Sequence, residues 1–315
     1  MIHLLFTGGT IAMRPDKAAW GNVPALDGNA ITKRIDGLAA IAPIQVEDWG
    51  PFPSSHLDLT RLWSLRERVR EVLAEGTATG VVIAHGTDTL EETAYLLART
   101  LPRAHPVVLT GAMRTADHLA WDGADNLRAA VQVAAAPESQ GRGTMVAFAG
   151  ALLDGLDAVK YETSDLDAFE PGHGKQLGVV QMGRVTYTAA PPAPRFGMQP
   201  AALSAKVALV AMTAGDDGAM LDRSLGEYHG AVVIAFGEGN VPPGAAEAIG
   251  RWLAAGYPVV IASRCRRGQT SASYAYEGGA AQLVAAGATL AGPRSPSQAW
   301  MELTIALSAG RPYGK

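Results

Sequence analysis

Short, continuous apolar runs alternate with amphipathic stretches along most of the chain. Residues 2–6 (IHLLF), 81–84 (VVIA), 106–110 (PVVLT) and 144–149 (TMVAFA) are short apolar runs, and 81–84 is too short and too β-branched for a helix. That is the pattern of strands buried on both faces. Residues 43–49 read as a further strand, and helices are predicted over 30–40, 58–74, 90–100 and 124–135. Past residue 205 the alternation resumes, with strands at 206–212 (KVALVAM), 230–235 (GAVVIA) and 258–262 (PVVIA) and helices at 244–255, 278–286 and 295–308. Strands alternating with helices predict parallel sheets. The expected architecture is therefore α/β with two parallel-sheet domains, a larger N-terminal one (1–188) and a smaller C-terminal one (205–315). A proline-rich linker (189–204) joins them. Residues 13–29 carry no sustained period and are expected to form a mobile loop of lid length, and 151–161 reads as a hairpin-like segment.

Composition narrows the classes. At 315 residues and 48% hydrophobic, the chain is long enough to bury sizeable cores. A net charge of −4 offers no electrostatic footprint for nucleic acid or an anionic membrane. The single cysteine, Cys265, allows neither an intrachain disulfide nor a thiolate metal site, and the seven histidines show no metal-ligand spacing. No metal or cofactor is expected. No apolar stretch approaches the roughly 18–20 residues of a membrane span. The opening MIHLLFTGG lacks a basic flank and reads as a first strand rather than a signal peptide, so a soluble cytoplasmic protein is the expectation.

Chemistry concentrates in two turns. His85-Gly86-Thr87-Asp88-Thr89 places an imidazole, a carboxylate and two hydroxyls in five residues at the carboxyl end of a buried strand. Ligands of open α/β sheets bind at such ends. Asp88 or Thr89 can cap the helix that follows, and Glu91 and Glu92 lie in its first turn, where carboxylates suit the dipole. In Thr7-Gly8-Gly9-Thr10-Ile11-Ala12, the glycines let the backbone approach a ligand closely. With neither GxGxxG nor GxxxxGK[ST], this turn points to a hydroxyl-based site rather than a phosphate loop. A threonine hydroxyl becomes nucleophilic when a base takes its proton, and a lysine oriented by an aspartate can serve. Thr87, Asp88 and a lysine from elsewhere would make such a unit, with glycine-turn amides as oxyanion donors. Lys160, in the hairpin-like segment, joins it only if the fold returns it to Thr87; otherwise it is a solvated surface lysine. Ser54 and Ser55 close a strand, and capping and ligand binding are equally open for them. The reaction class implied is acyl transfer to water, on a small polar carbonyl substrate.

Together the two threonine motifs resemble the paired signatures of the bacterial-type L-asparaginase/glutaminase family. Gly111-Ala112-Met113-Arg114, Asp122-Gly123-x-x-Asn126, Asp157-Ala158-Val159-Lys160 and Gly237-x-Gly239-Asn240 also match in family order, so the similarity runs from residue 3 to about 300. The resemblance implies hydrolysis of L-asparagine to L-aspartate and ammonia through a covalent acyl-threonine. By position it makes Thr10 the nucleophile and Thr87, Asp88 and Lys160 a triad with Lys160 as base. Substrate contacts fall on Ser54, Ser55, Gly9, Gly86 and Ala112, and Asp88 also meets the substrate amine. Asn240 corresponds to a residue that reaches a neighbouring subunit's site. A homotetramer of two intimate dimers is implied, with each site shared between one chain's larger domain and another's smaller one.

Two departures bear on these roles. The family's lid tyrosine has no counterpart in 13–29, where Trp20 and Asn22 are nearest by position; Tyr274 or Tyr276 of the C-terminal domain is a candidate substitute. Ser54-Ser55-His56 differs from the usual Ser-Gln-Asp and Ser-Ser-Asp patterns, which bears on amide selectivity. The alternatives are an amidohydrolase preferring another amide, such as glutamine, and a non-catalytic amino-acid sensor. Ammonia release from asparagine separates enzyme from sensor.

Overall fold

The buried apolar runs form strands whose alternate residues feed two separate cores. In order, the N-terminal part comprises β1 (Ile2–Phe6), a 3-10 turn at Thr10–Ala12, β2 (Met13–Asp16), β3 (Gly21–Pro24), α1 (Gly28–Thr32), α2 (Leu38–Ile41) and β4 (Ile44–Asp48). A 3-10 turn at Ser54–His56, α3 (Leu59–Ala74), β5 (Gly80–Ala84), α4 (Leu90–Thr100), β6 (Val107–Thr110), α5 (Gly123–Ala135) and β7 (Thr144–Phe148) follow. Five short strands then complete this part: β8 (Ala151–Asp154), β9 (Ala158–Lys160), β10 (Phe169–Pro171), β11 (Gly178–Gln181) and β12 (Arg184–Tyr187). This computed structural model describes residues 1–190 and 198–314. The chain divides into two compact units, Met1–Gly197 and Met198–Lys315.

The main sheet of the first unit has the order β12-β11-β8-β7-β6-β5-β1-β4. Strands β4, β1, β5, β6 and β7 run parallel, and β8, β11 and β12 add antiparallel pairs at one edge. Leu4 and Val82 pack with Leu127, Ala130 and Val131 of α5 on one face. Leu5, Val81 and Ile83 pack with Leu65 and Val69 of α3 and Leu90, Ala94 and Leu97 of α4 on the other. The period-2 alternation of a strand produces this division, and burial on both faces explains why the strands read as unbroken apolar runs.

The second unit carries β13 (Val207–Ala211), α6 (Ala219–Ser224), β14 (Gly230–Ala235), α7 (Pro243–Ala254), β15 (Val259–Ser263), α8 (Ala280–Ala285), β16 (Thr289–Leu290) and α9 (Pro296–Ser308). Its four strands form a parallel sheet in sequential order. Ser295 and Gln298 close a capping box at the start of α9, satisfying orphan donors reciprocally. Trp252 is fully buried, with its indole N–H donated to the Leu221 carbonyl at 2.9 Å.

Three segments differ from the sequence reading. The helix expected over 30–40 is two short helices, parted where Gly37 takes a left-handed φ of 73°. Ile31, Ile35 and Leu38 are all buried, so helical spacing survives as a core pattern although the helix does not. Residues 13–29 are not an irregular loop but open with the β2–β3 hairpin, its turn organised by Asp16 Oδ1 accepting from the Ala18 and Ala19 amides at 2.6 and 3.0 Å. The hairpin-like stretch after β7 is longer than expected and builds the antiparallel edge. Of the expected linker, residues 191–197 lie outside the described residues. Ser204 and Ala205 donate their amides to Ser308 Oγ at 3.0 and 3.1 Å, which ties them to α9.

Candidate active site

From β1 the chain moves to β4 on one side and returns as β5 on the other. The carboxyl ends of β1 and β5 therefore flank a topological switch point, where open α/β sheets leave a crevice. The turn after β1 carries Thr10 and the turn after β5 carries Thr87. Their backbones nearly touch: a Cβ placed on Gly9 would lie 2.4 Å from the Gly86 Cα, and Gly9 itself has φ 83°. Only glycine meets both conditions. Among the described residues, the amides of Gly9, Gly86 and Thr87 make no backbone hydrogen bond, so they remain available as donors.

Two further strand ends close on the same spot. A Cβ on Gly86 would lie 2.7 Å from Ser54 Oγ, which brings the segment after β4 against the turn. Ser54 is buried, its carbonyl accepting from Thr89 Oγ1 at 2.9 Å, while Ser55 is exposed. A Cβ on Gly111 would lie 3.4 Å from Thr87 Cγ2, and Ala112 beside it is buried.

Lys160 ends β9, and the fold returns it to the centre. Its Nζ donates to Thr87 Oγ1 at 2.9 Å and to Asp88 Oδ1 at 3.0 Å. The lysine side chain is 17% exposed and the aspartate 68%, so the pair spans the boundary between protein and solvent. Thr87 is buried and forms the inner end of this hydrogen-bonded trio. Because its oxygen accepts from Lys160, its own proton is free to point into the site.

Supporting side chains fix this geometry. His85 is fully buried: its Nδ1–H donates to the Gly86 carbonyl at 2.7 Å, and Nε2 lies 3.0 Å from Thr93 Oγ1. Desolvation pushes the imidazole down to about 4, against a weaker opposing pull from the Gly86 carbonyl, so it is neutral and acts as a peg for the turn. Asp122 accepts the amides of Met113 and Arg114, each at 2.9 Å. Asn126 donates to the Gly111 carbonyl at 3.1 Å and accepts the Ala149 amide at 3.0 Å. Their i, i+4 spacing sets both on one face of the helix start, where they hold the loop after β6. In sequence the pair shows only as the Asp122-Gly123-x-x-Asn126 spacing. Glu91 accepts the Lys160 amide through Oε2 at 2.7 Å, a contact with no signal in sequence. Burial pushes the neighbouring Glu92 carboxyl up to about 8, aided by the charges of Glu91 and Asp88, and its Oε2 is shielded and unpartnered.

Residues 1–193 match the family described as asparaginase, N-terminal, and residues 206–314 match the glutaminase/asparaginase C-terminal domain. The chain belongs to the asparaginase family. It is thereby an amidohydrolase, as the crevice chemistry anticipates. It is 36% identical to the probable L-asparaginase of Deinococcus radiodurans, over 98% of this chain and 93% of that protein. It is 30% identical to L-asparaginase 2 of Escherichia coli, over 98% and 88% respectively. The crystal structure of a probable cytoplasmic L-asparaginase from Campylobacter jejuni superposes with a TM-score of 0.87 at 29% identity, covering 98% of this chain and 94% of that one.

Within this asparaginase-family chain, the structure brings together Gly9, Ser54, Gly86, Thr87, Asp88, Ala112 and Lys160, with Thr10 next to Gly9. Thr10 is half-buried at the start of its 3-10 turn. The hairpin beside it is anchored by Ala25 and Leu26 amides on the Ala12 carbonyl at 3.0 and 3.1 Å, and by Arg14 Nε at 3.2 Å from Asp117. Trp20 occupies the hairpin tip, 95% exposed, and Asn22 pairs across the hairpin with Pro15. Asn240 belongs to the second unit, where its Oδ1 accepts the Ala280 amide at 3.2 Å. Tyr274 and Tyr276 lie in that unit too, both exposed, with ring centroids 5.7 Å apart. Among the described residues no group of three or more His, Cys, Asp or Glu is placed to hold a metal, and no helix is long and apolar enough to cross a membrane.

Proposed function

We propose that this protein is an L-asparaginase, hydrolysing L-asparagine to L-aspartate and ammonia through an acyl-threonine, with Thr10 as nucleophile and Thr87, Asp88 and Lys160 as proton relay. The observation that carries the reading is Lys160 Nζ bridging Thr87 Oγ1 at 2.9 Å and Asp88 Oδ1 at 3.0 Å, in a turn that abuts the Thr10 turn through Gly9 and Gly86. Relatives named L-asparaginase across nearly the whole chain support the substrate.

In the forward step Thr10 Oγ attacks the side-chain amide carbon, and amides of the glycine turns meet the developing oxyanion. The C–N bond breaks as the leaving nitrogen is protonated from Thr87, which Lys160 resupplies. On attack Thr10's own proton passes through Thr87 to Lys160, and it is this proton that the nitrogen receives, so ammonia leaves with no net change in protons. Lys160, again through Thr87, then takes a proton from the attacking water and returns it to the Thr10 oxygen. The ester to Thr10 opens, aspartate leaves and Thr10 regains its hydroxyl. Asp88 orients Lys160 and faces the substrate amine, with Ser54 and Ser55 beside it for the α-carboxylate. A homo-oligomer of at least two chains completes each site with Asn240 of a neighbour, and the protein is cytoplasmic.

The deciding experiment measures ammonia release from asparagine and glutamine, then traps the acyl-enzyme with a slow substrate analogue for peptide mass spectrometry. An adduct within residues 1–14 is expected. An adduct on the Thr87 peptide reassigns the nucleophile, and absence of ammonia from either amide returns the protein to amino-acid binding. Activity that persists in a monomer at high dilution removes the shared site.

A further inference from the structure

Among the described residues, strand β9 pairs with β10 alone, in a sheet of two strands. It holds Lys160 at its last residue, so whatever fixes its other edge fixes the lysine. That edge meets α4, where Glu91 Oε2 accepts the Lys160 backbone N–H at 2.7 Å. Glu91 is buried and lies four residues after Thr87 along the same strand–turn–helix. One short segment, 87–91, therefore grips Lys160 twice. Thr87 and Asp88 take the ammonium, and Glu91 takes the main chain. We propose that Glu91 is the positioning residue that delivers Lys160 to Thr87, a role that rests on Lys160 serving the relay described above.

The physical need is specific. A lysine side chain has four rotatable bonds and holds no fixed direction by itself. Two bonds of about 3 Å to Thr87 and Asp88 persist only if the Cα is set to within a fraction of an ångström. A carboxylate accepting from a backbone N–H is a strong, short contact and suits the outer edge of a two-stranded ribbon. Glu91 touches neither reacting atom; it acts through Lys160.

A double-mutant cycle tests the assignment on the intact enzyme, with Glu91→Ala, Glu91→Gln, Lys160→Met and the Glu91→Ala/Lys160→Met pair. Glu91→Ala is expected to lower kcat by about 10- to 100-fold, the scale of a misplacement near 1 Å, while KM changes by less than about threefold. Glu91→Gln keeps an acceptor of the same shape and recovers most of the loss. Added to Lys160→Met, Glu91→Ala lowers kcat no further than about twofold, because the residue it positions is gone. Equal fold-losses in both backgrounds would show a general structural role and overturn the proposal, as would wild-type kcat in folded Glu91→Ala. Near-wild-type kcat in Lys160→Met instead refutes the relay itself, which separates the two failures. Thermal melts of each variant report folding, and Glu91→Met, near in size but without the carboxylate acceptor, carries the same cycle if Glu91→Ala fails to fold.

Discussion

The two threonine turns sit side by side at the switch point yet are built to opposite specifications. The turn after β5 is braced from all sides. His85 pegs the Gly86 carbonyl, Thr89 holds Ser54, and Lys160 reaches Thr87 from a strand that Glu91 grips. The turn after β1 has its backbone locked by Gly9 against Gly86, but Thr10 stands half-buried beside a hairpin whose tip, Trp20, is exposed. The contrast suits the proposed division of labour. A proton relay must keep fixed distances through the cycle, whereas a nucleophile must exchange partners from solvent to substrate to ester and then release it. Rigid support belongs under the first and an open approach beside the second.

Removing the two hydroxyls should have the largest effect. Thr10→Val and Thr87→Val should each lower kcat by at least about three orders of magnitude, since residues acting as one unit fail together. They differ under the slow analogue: Thr87→Val should still accumulate an adduct on the 1–14 peptide, and Thr10→Val none. An adduct in Thr10→Val breaks the division. Next in size is the shared backbone contact. Gly9→Ala adds a methyl 2.4 Å from the Gly86 Cα at φ 83°, whereas Gly37→Ala meets nothing within 4 Å at φ 73°. Urea unfolding should show Gly9→Ala losing roughly 2–4 kcal/mol and Gly37→Ala about 1 kcal/mol; equal losses would mean the turns do not depend on each other.

The braced turn also predicts a pH signature. Glu92, raised to about 8, stays protonated in the native state while the unfolded chain releases its proton from about 4.5 upward, so stability falls as pH rises through that window. His85, lowered to about 4, acts oppositely: between about 4 and 6.5 the unfolded state takes a proton the native state refuses, and stability rises with pH. The two slopes offset below about 6.5, leaving the Glu92 slope alone above it. Glu92→Gln should stabilise the protein by roughly 2–4 kcal/mol at pH 8 and expose the His85 slope on the acid side. Denaturant midpoints across pH 5–9 check this, and an unchanged profile would mean Glu92 is ionised in the folded protein. Smallest is the hairpin anchor. Arg14→Ala removes an exposed ion pair to Asp117, so stability should change by less than about 1 kcal/mol. A loss in kcat/KM of about two- to fivefold should vanish between wild type and variant at molar salt, where the pair is screened. A loss that persists in salt would assign Arg14 another task.

Much of this molecule is written in local pattern. Apolar runs such as 81–84 announce themselves as strands because burial on both faces demands it, and glycine and hydroxyl residues after strand ends mark the turns that face ligand. Thr10, Thr87 and Asp88 were therefore legible at once, each within a few residues of a strong strand signal. The β2–β3 hairpin and the break at Gly37 were not, because short segments have weak periodicity and answer to their surroundings. Lys160 lies 73 residues from its partner Thr87 and Glu91 lies 69 from Lys160, on a two-stranded ribbon no nearby residue points toward. The alternating strands, the two α/β domains and the two threonine turns are legible in sequence alone, since each follows from the chemistry of neighbours a few positions apart. The fold brings Lys160, which the family resemblance had singled out, onto Thr87, and it alone reveals which carboxylate holds that lysine in place and which glycine must pass another backbone. Those are distances between points far apart along the chain, and chain folding alone brings them together.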